Sequence, residues 1–445
     1  MKKCLFLCVL VASTLALSIN VSASGSFFGV DETPSKFQEH RSVRDDIMEF
    51  LAAKGYTEGK NSRDSGGDIF IAVGTGTIQA PRNSDAYMRS RINAFDKAML
   101  AAKKQMVEYI GIDIQNSVVN DYAEGESPVD RRKREADAAA ALESPGLLEK
   151  TKMLVSAKLD QLLEEEGVDL TKPVPPETVE KAVTSDVFEK FTRSVGTTRV
   201  VGMQPWKVFE ESPDGAKGQI GVIAVYSEKL HKMADALYRG QYASLPQGTP
   251  RKQVVNQIPK DERVLLTTFG VQQRTDENGQ LVLVAFGQGV PRTQSTRSVD
   301  AAYDKAKLDA MSQLRSFAGE IAAVESEAYQ YENVNEFEGG MEQFENEEYF
   351  RDKVQTKADA LKIAGIQKIH RWKAVHPLTN QPVVGVVIAW SPSGARHASQ
   401  LASQMSSKPQ AAAAHSKSPK GNYRAGSDQS GAYSNSGASA DEDSF

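Results

Sequence analysis

The sequence predicts an α+β fold made of two tandem copies of one strand, helix, helical insert, β-hairpin, helix domain, each with an antiparallel or mixed sheet packed by a long alanine-rich helix. Three observations lead there. Ala94-Phe95-Asp96-Lys97-Ala98-Met99-Leu100-Ala101-Ala102 returns as Ala302-Tyr303-Asp304-Lys305-Ala306-Lys307-Leu308-Asp309-Ala310. Each copy follows an apolar run ending in a glycine pair, Phe70 to Gly76 and Leu283 to Gly289. A hairpin also recurs: Val201-Gly202-Met203-Gln204 matches Ala364-Gly365-Ile366-Gln367, and Gly221 to Ser227 matches Gly385 to Ser391. The offset is 213 residues at the glycines and 208 at the aspartates, a five-residue difference of the kind loops absorb.

The repeated helix carries alanines every fourth residue, Ala94, Ala98 and Ala102 in one copy and Ala302, Ala306 and Ala310 in the other. That spacing puts a stripe of small side chains on one helix face, where a neighbour can approach closely. Asp96 and Asp304 are its polar feature, but four residues on from each stands leucine, so neither gains an ion pair along the helix. They read as the solvated edge of a packed helix rather than as catalytic groups.

Residues 1–23 read as a signal peptide: Lys2 and Lys3, an apolar run from Leu5 to Ile19, then Val21-Ser22-Ala23 as a small-x-small cleavage signal near Ala23. The expectation is export to the periplasm or beyond. Both cysteines, Cys4 and Cys8, lie inside that segment, so the mature chain is expected to hold no thiol nucleophile or thiolate ligand. Ser24 stands where a lipoprotein needs cysteine. No other run is apolar for the roughly 18 residues of a membrane span. The formal charge of −5 becomes −7 without Lys2 and Lys3, which argues against nucleic acid as a partner.

Residues 24–67 form an N-terminal segment, with an amphipathic helix predicted over 35–54 and turn chemistry over 61–67. The first repeat spans 68–241. Its insert shows helical patterns over 130–143, 146–166 and 177–194, and the Arg131-Arg132-Lys133-Arg134 and Glu164-Glu165-Glu166 runs read as solvated helix faces. Strands over 198–209 and 218–227 form its hairpin, and a helix over 228–239 closes it. A linker, 242–262, precedes the second repeat, 263–405, which opens with a strand over 264–272 and an Asn278-Gly279 turn. Its insert, 325–351, is acidic and aromatic. From 406 to 445 the composition cannot bury a core, and disorder is predicted.

Catalytic and cofactor motifs fail on inspection. Gly74/Gly76 and Gly287/Gly289 lack the third glycine of a dinucleotide fingerprint, since Gln79 and Arg292 stand there, and no P-loop lysine follows. The glycines read as a bulge or strand exit. The six histidines show no metal spacing. No catalytic, cofactor-binding or metal-ligating residue is assigned.

The recurring pattern of a strand ending in Gly-x-Gly, an Ala-Phe/Tyr-Asp-Lys-Ala-x-Leu-x-Ala helix, a variable insert and a hairpin ending in Val-x-Ala-Tyr/Trp-Ser or its near variant resembles the domain of flagellar assembly protein T and related small bacterial outer-membrane lipoproteins. The resemblance implies a non-enzymatic envelope protein that builds or decorates a surface assembly. The missing lipoprotein cysteine, the doubling and the two inserts depart from that pattern. The leading expectation is therefore an exported, non-enzymatic structural or assembly component of the cell envelope with a protein partner, homo-oligomerisation being open. The alternative is a secreted ligand-binding or adhesive protein with a site between the repeats, where Trp206, Trp372 and Trp390 supply aromatic surface. A repeated scaffold places specificity in the inserts, and Tyr331, Phe337, Phe344 and Tyr349 are the candidate partner-binding residues.

Overall fold

The computed structural model describes residues 42–63, 67–123, 125–141, 147–213, 217–242, 245–332, 361, 363–406 and 433–440. Helix α1, Val43–Lys54, begins at a capping box: the Ser42 hydroxyl accepts from Asp45 N, and the Asp45 carboxylate accepts from Ser42 N at 2.7 Å. Gly55, at φ 75°, ends it in the left-handed conformation that favours glycine. Residues 35–41 of the predicted helix lie outside the described residues.

Next comes a strand where the sequence suggested a turn. β1, Gly59–Ser62, pairs antiparallel with β2, Asp68–Thr77, from Gly59 opposite Ile71 to Ser62 opposite Asp68. Its residues are polar, so an edge strand held through its backbone leaves no alternation of apolar residues to find.

Helix α2, Tyr87–Ala123, runs 37 residues, far beyond its repeated motif. The insert supplies α3, Pro128–Ala141, α4, Leu147–Glu165, α5, Pro176–Val183, and α6, Asp186–Arg199. The pattern expected over 177–194 is broken at Ser185, whose hydroxyl accepts from Phe188 N at 3.3 Å and starts α6. α6 then takes residues up to Arg199 that β-branched composition gave to a strand. Its Phe188 and Val195 are buried, and that packing overrides propensity. The hairpin follows as β3, Gln204–Ser212, and β4, Gln219–Ser227, with α7, Glu228–Arg239, at the predicted place.

The linker holds one short helix, α8, Val254–Gln257, and a second, α9, Glu262–Leu266, starts at the linker's last residue. α9 replaces the start of the strand expected over 264–272, because Asp261 caps it through Arg263 N at 2.9 Å and Leu265 and Leu266 are buried. β5, Gly270–Thr275, and β6, Leu281–Gly289, then form the hairpin signalled by Asn278-Gly279; Asp276 Oδ1 accepts from Asn278 N and Gln280 N, and Gly279 has φ 78°. α10, Thr296–Glu332, is again 37 residues long. β7, Gln367–Val375, β8, Pro382–Trp390, α11, Pro392–Ser406, and β9, Tyr433–Ser436, complete the described elements. β9 falls in the stretch whose composition predicts disorder; small polar residues bury little, but a strand needs only its backbone to pair.

The described strands form two sheets, ordered β1-β2-β4-β3-β9 and β5-β6-β8-β7, with every pairing antiparallel. Gly74 faces Val222 in one and Gly287 faces Val386 in the other. The first strand of each closing hairpin, β3 and β7, shifts register at one place, between Pro205 and Lys207 and between Lys368 and His370. The glycine pairs are not bulges, since their register is unbroken, and Gly289 alone ends its strand. They let a helix lie on the sheet: a Cβ on Gly74 would stand 1.9 Å from Ala98 O, and one on Gly287 would stand 2.0 Å from Ala306 O. Gly76 and Gly289 meet the carbonyls of Ala94 and Ala302 in the same way. All six stripe alanines are buried.

The core is shared across both sheets. One cluster joins α2, the Phe70 and Ala72 face of β2, Val222 and Ala224 of β4, and Val282, Val284 and Phe286 of β6. A second joins the opposite face of β6 to α10 and to Met233, Ala234 and Leu237 of α7. A third sets α1 on Ile69, Ile71 and Val73. No described helix is long and apolar enough to cross a membrane.

Candidate functional site

A dense buried polar arrangement lies where α2 and β3 meet β6 and the β7–β8 turn. Arg91, on α2, donates from Nε to both oxygens of Glu210 at 2.8 Å, and its Nη2 lies 2.7 Å from Oε2. Its Nη1 donates to Gln288 Oε1 at 3.2 Å, and its Nη2 to Leu266 O at 2.5 Å. Gln288 Nε2 donates to the same carbonyl at 2.9 Å. His376 Nε2 sits 3.4 Å from Glu210 Oε1, and the Tyr87 ring lies 5.6 Å from its imidazole. The Arg91 guanidinium also lies over Phe269, 4.9 Å from the ring centre.

Arg91, Glu210 and His376 are fully buried. Burial alone pushes the Glu210 carboxyl up, but the Arg91 charge, together with the His376 and Arg91 hydrogen bonds, overrides it and holds the group at about 2. Burial, with the Glu210 charge adding to it, holds the Tyr87 phenol above its ordinary value. A carboxylate locked ionised and wrapped by donors is poorly suited to proton transfer near neutral pH. The chemistry suits a structural tie, in which removing one partner leaves a buried charge unpaired.

A second buried cluster holds the insert together. Tyr122 donates to Asp160 Oδ1, Arg131 Nη2 donates to the same oxygen at 2.8 Å, and Arg132 Nε reaches Oδ2 at 3.1 Å. The Arg131 guanidinium lies 4.0 Å from the Tyr122 ring centre. The basic run is thus only partly a solvated face: Arg131 is buried, whereas Arg134 is exposed and pairs with Glu126 at 3.0 Å.

An open cleft of about 430 Å³ lies at the start of α10, lined by Val290, Arg292, Ser295, Arg297, Ser298 and Lys305, among others. Arg292, Arg297 and Lys305 are exposed. The two serines are occupied locally, Ser298 Oγ accepting from Thr293 N at 3.0 Å and Ser295 Oγ from Ser298 N at 3.3 Å. Three solvated cations attract anions weakly, and salt screens that attraction. Among the described residues no group of three or more metal-ligating side chains comes together.

Of the residues singled out from sequence, Tyr331 lies in the last turn of α10, while Phe337, Phe344 and Tyr349 lie outside the described residues. Trp206, Trp372 and Trp390 are all buried, in three different clusters, and Trp390 Nε1 donates to Ala364 O at 3.0 Å. Asp96 and Asp304 are exposed. Sequence reasoning missed Arg91, Glu210 and Gln288. Arg91 and Glu210 lie 119 residues apart, so no local spacing announces the pair.

A family described only as a domain of unknown function (DUF6844) matches residues 145–239, from the helical insert through α7. No curated protein matches the chain. The crystal structure of hypothetical protein FTT1539c from Francisella tularensis is similar, with 21% identity, a TM-score of 0.46, and coverage of 80% of this chain and 93% of that one.

Proposed function

We propose that this chain is an exported, non-enzymatic component of the cell envelope, built from two copies of one α+β unit, that acts by binding a protein partner. The observation that carries the reading is where its ionisable groups go. Arg91, Glu210 and His376 are spent on a buried tie between the halves, and Tyr122, Arg131 and Asp160 on one inside the insert. The unit reading rests on repeated geometry: Gly74 with Ala98 and Gly287 with Ala306, the same strand order, and the same register shift in β3 and β7.

Export rests on Lys2, Lys3, the apolar run and Ala23; partner choice is assigned to the inserts, including Tyr331. Membership in a surface assembly rests on the resemblance to flagellar assembly protein T. The test is photo-crosslinking in intact cells with mass-spectrometric identification of captured proteins, on fractionated material. A mature chain beginning near Ser24 and joined to a defined envelope protein supports the proposal. Uncleaved, cytoplasmic chain, or capture of nothing beyond background, overturns it.

A further inference from the structure

We propose that the groove between β3 and α9 is a strand-accepting site, and that residues 433–440 are an exchangeable strand that a second copy of this chain can donate. The segment is seated almost wholly by its backbone and by small side chains. Ser434, Asn435 and Ser436 pair antiparallel with Glu211, Glu210 and Phe209. Gly437 N then donates to Val208 O and Ala440 N to Trp206 O, each at 2.7 Å.

The other wall reads the same segment. Asn435 Nδ2 donates to Arg263 O at 2.7 Å and lies 2.8 Å from Thr267 Oγ1; Ala438 N donates to Thr268 Oγ1 at 2.9 Å; Gln272 Nε2 donates to Ala438 O at 3.2 Å. Gly437 is the selective position, because a Cβ there would stand 2.2 Å from Thr267 O. Ser434 Oγ reaches Asp46 Oδ2 on α1 at 3.2 Å, and Ala440 is buried in the α1 cluster. This is strand addition to a sheet edge: main-chain bonds hold the segment, and one close contact sets its sequence.

Three features make the donor interchangeable between copies. Leaving the groove opens no other strand pairing, since β9 pairs only with β3 among the described strands. Residues 407–432 separate it from α11, enough chain to reach about 90 Å when extended. Every second copy carries the same matching strand, so exchange trades identical contacts and is governed by effective concentration against protein concentration.

The test uses full chains carrying Cys4→Ser and Cys8→Ser, one with Glu211→Cys and the other with Ser434→Cys. Directly opposed antiparallel residues lie within disulfide reach. After mild oxidation of the mixture, a mixed-disulfide dimer is expected whose yield rises with total concentration. Adding Gly437→Val to the Ser434→Cys chain should cut that yield about tenfold or more. A chain carrying both cysteines reports seating independently. If it closes on itself while the mixture gives no dimer at any concentration, exchange is overturned. Absence of both products shows that the segment is not seated on β3, and a mixed dimer insensitive to Gly437→Val shows that the groove does not read it; either result overturns the proposal.

Discussion

Adding one methyl group at different glycines should move stability in opposite directions. In Gly74→Ala the new carbon would stand 1.9 Å from Ala98 O and 2.6 Å from Ala102 N. A carbon and a carbonyl oxygen normally come no closer than about 3.3 Å, so α2 must retreat from β2 by more than about 1 Å. Both obstructing atoms are helix backbone, which cannot rotate aside, so the cost falls at the upper end of overpacking, about 3 kcal/mol. Gly287→Ala meets Ala306 O at 2.0 Å and should cost about the same. Gly111, inside α2, has only Thr192 Cγ2 at 3.7 Å, an ordinary contact. Gly111→Ala should therefore stabilise the chain by about 0.5–1 kcal/mol through helix propensity. Urea unfolding followed by far-ultraviolet circular dichroism gives all three values. Equal midpoints for Gly74→Ala and the parent would refute the close-approach account, and so would a shift of the same sign in Gly111→Ala.

Glu210→Gln should destabilise the protein by about 3–5 kcal/mol at pH 7, since it leaves Arg91 buried without its counter-charge. Because Glu210 is held at about 2, below the ordinary 4.5, its contribution is present above pH 4.5 and lost as pH falls towards 2. Unfolding at pH 6 and pH 3 should show a loss of about 2 kcal/mol in the parent that the variant lacks; parallel curves would exclude this role. Ala98→Leu and Ala306→Leu, at fully buried stripe positions, should each cost about 1–3 kcal/mol in the same denaturation assay, and unchanged midpoints would place the stripe elsewhere. Replacing Tyr331, Phe337, Phe344 and Tyr349 together with serine should abolish crosslinking to the proposed envelope partner while circular dichroism stays unchanged; normal capture by the folded variant would move the binding surface elsewhere.

What the sequence made legible was whatever repeats at helical or strand spacing. The alanine stripe was readable because small residues every fourth position dictate a close helix contact, and α7 because Ser227 and Gly240 bracket an amphipathic run. The glycine pair was visible, but its purpose was not: what a missing Cβ makes room for stands across the sheet, at Ala98 and Ala306. β1 and β9 were hidden because backbone pairing at a sheet edge asks nothing of the side chains. α9 was hidden because Val264, Leu265 and Leu266 suit a strand equally well, and only the Asp261 cap decides. Arg131 looked like part of a solvated run and Arg91 went unnoticed, and the burial of both is fixed by partners that only the fold brings near.

Taking the halves as copies, the tie between them sits where the copies differ. Gln288 stands 213 residues beyond Thr75, which is exposed on β2. By the 163-residue offset of the hairpins Glu210 corresponds to Lys373, and by the 208-residue offset of the helices Arg91 corresponds to Val299. The Arg91, Glu210 and Gln288 cluster therefore has no counterpart and forms only once, at the junction. The sheet faces diverge in the same way: Ile69, Ile71 and Val73 are covered by α1, whereas their β6 equivalents Val282, Val284 and Phe286 enter the core that contains α2 and β4. With α1 on one such face and the other half on its equivalent, neither offers a further unit the apolar surface that an open-ended repeat array needs.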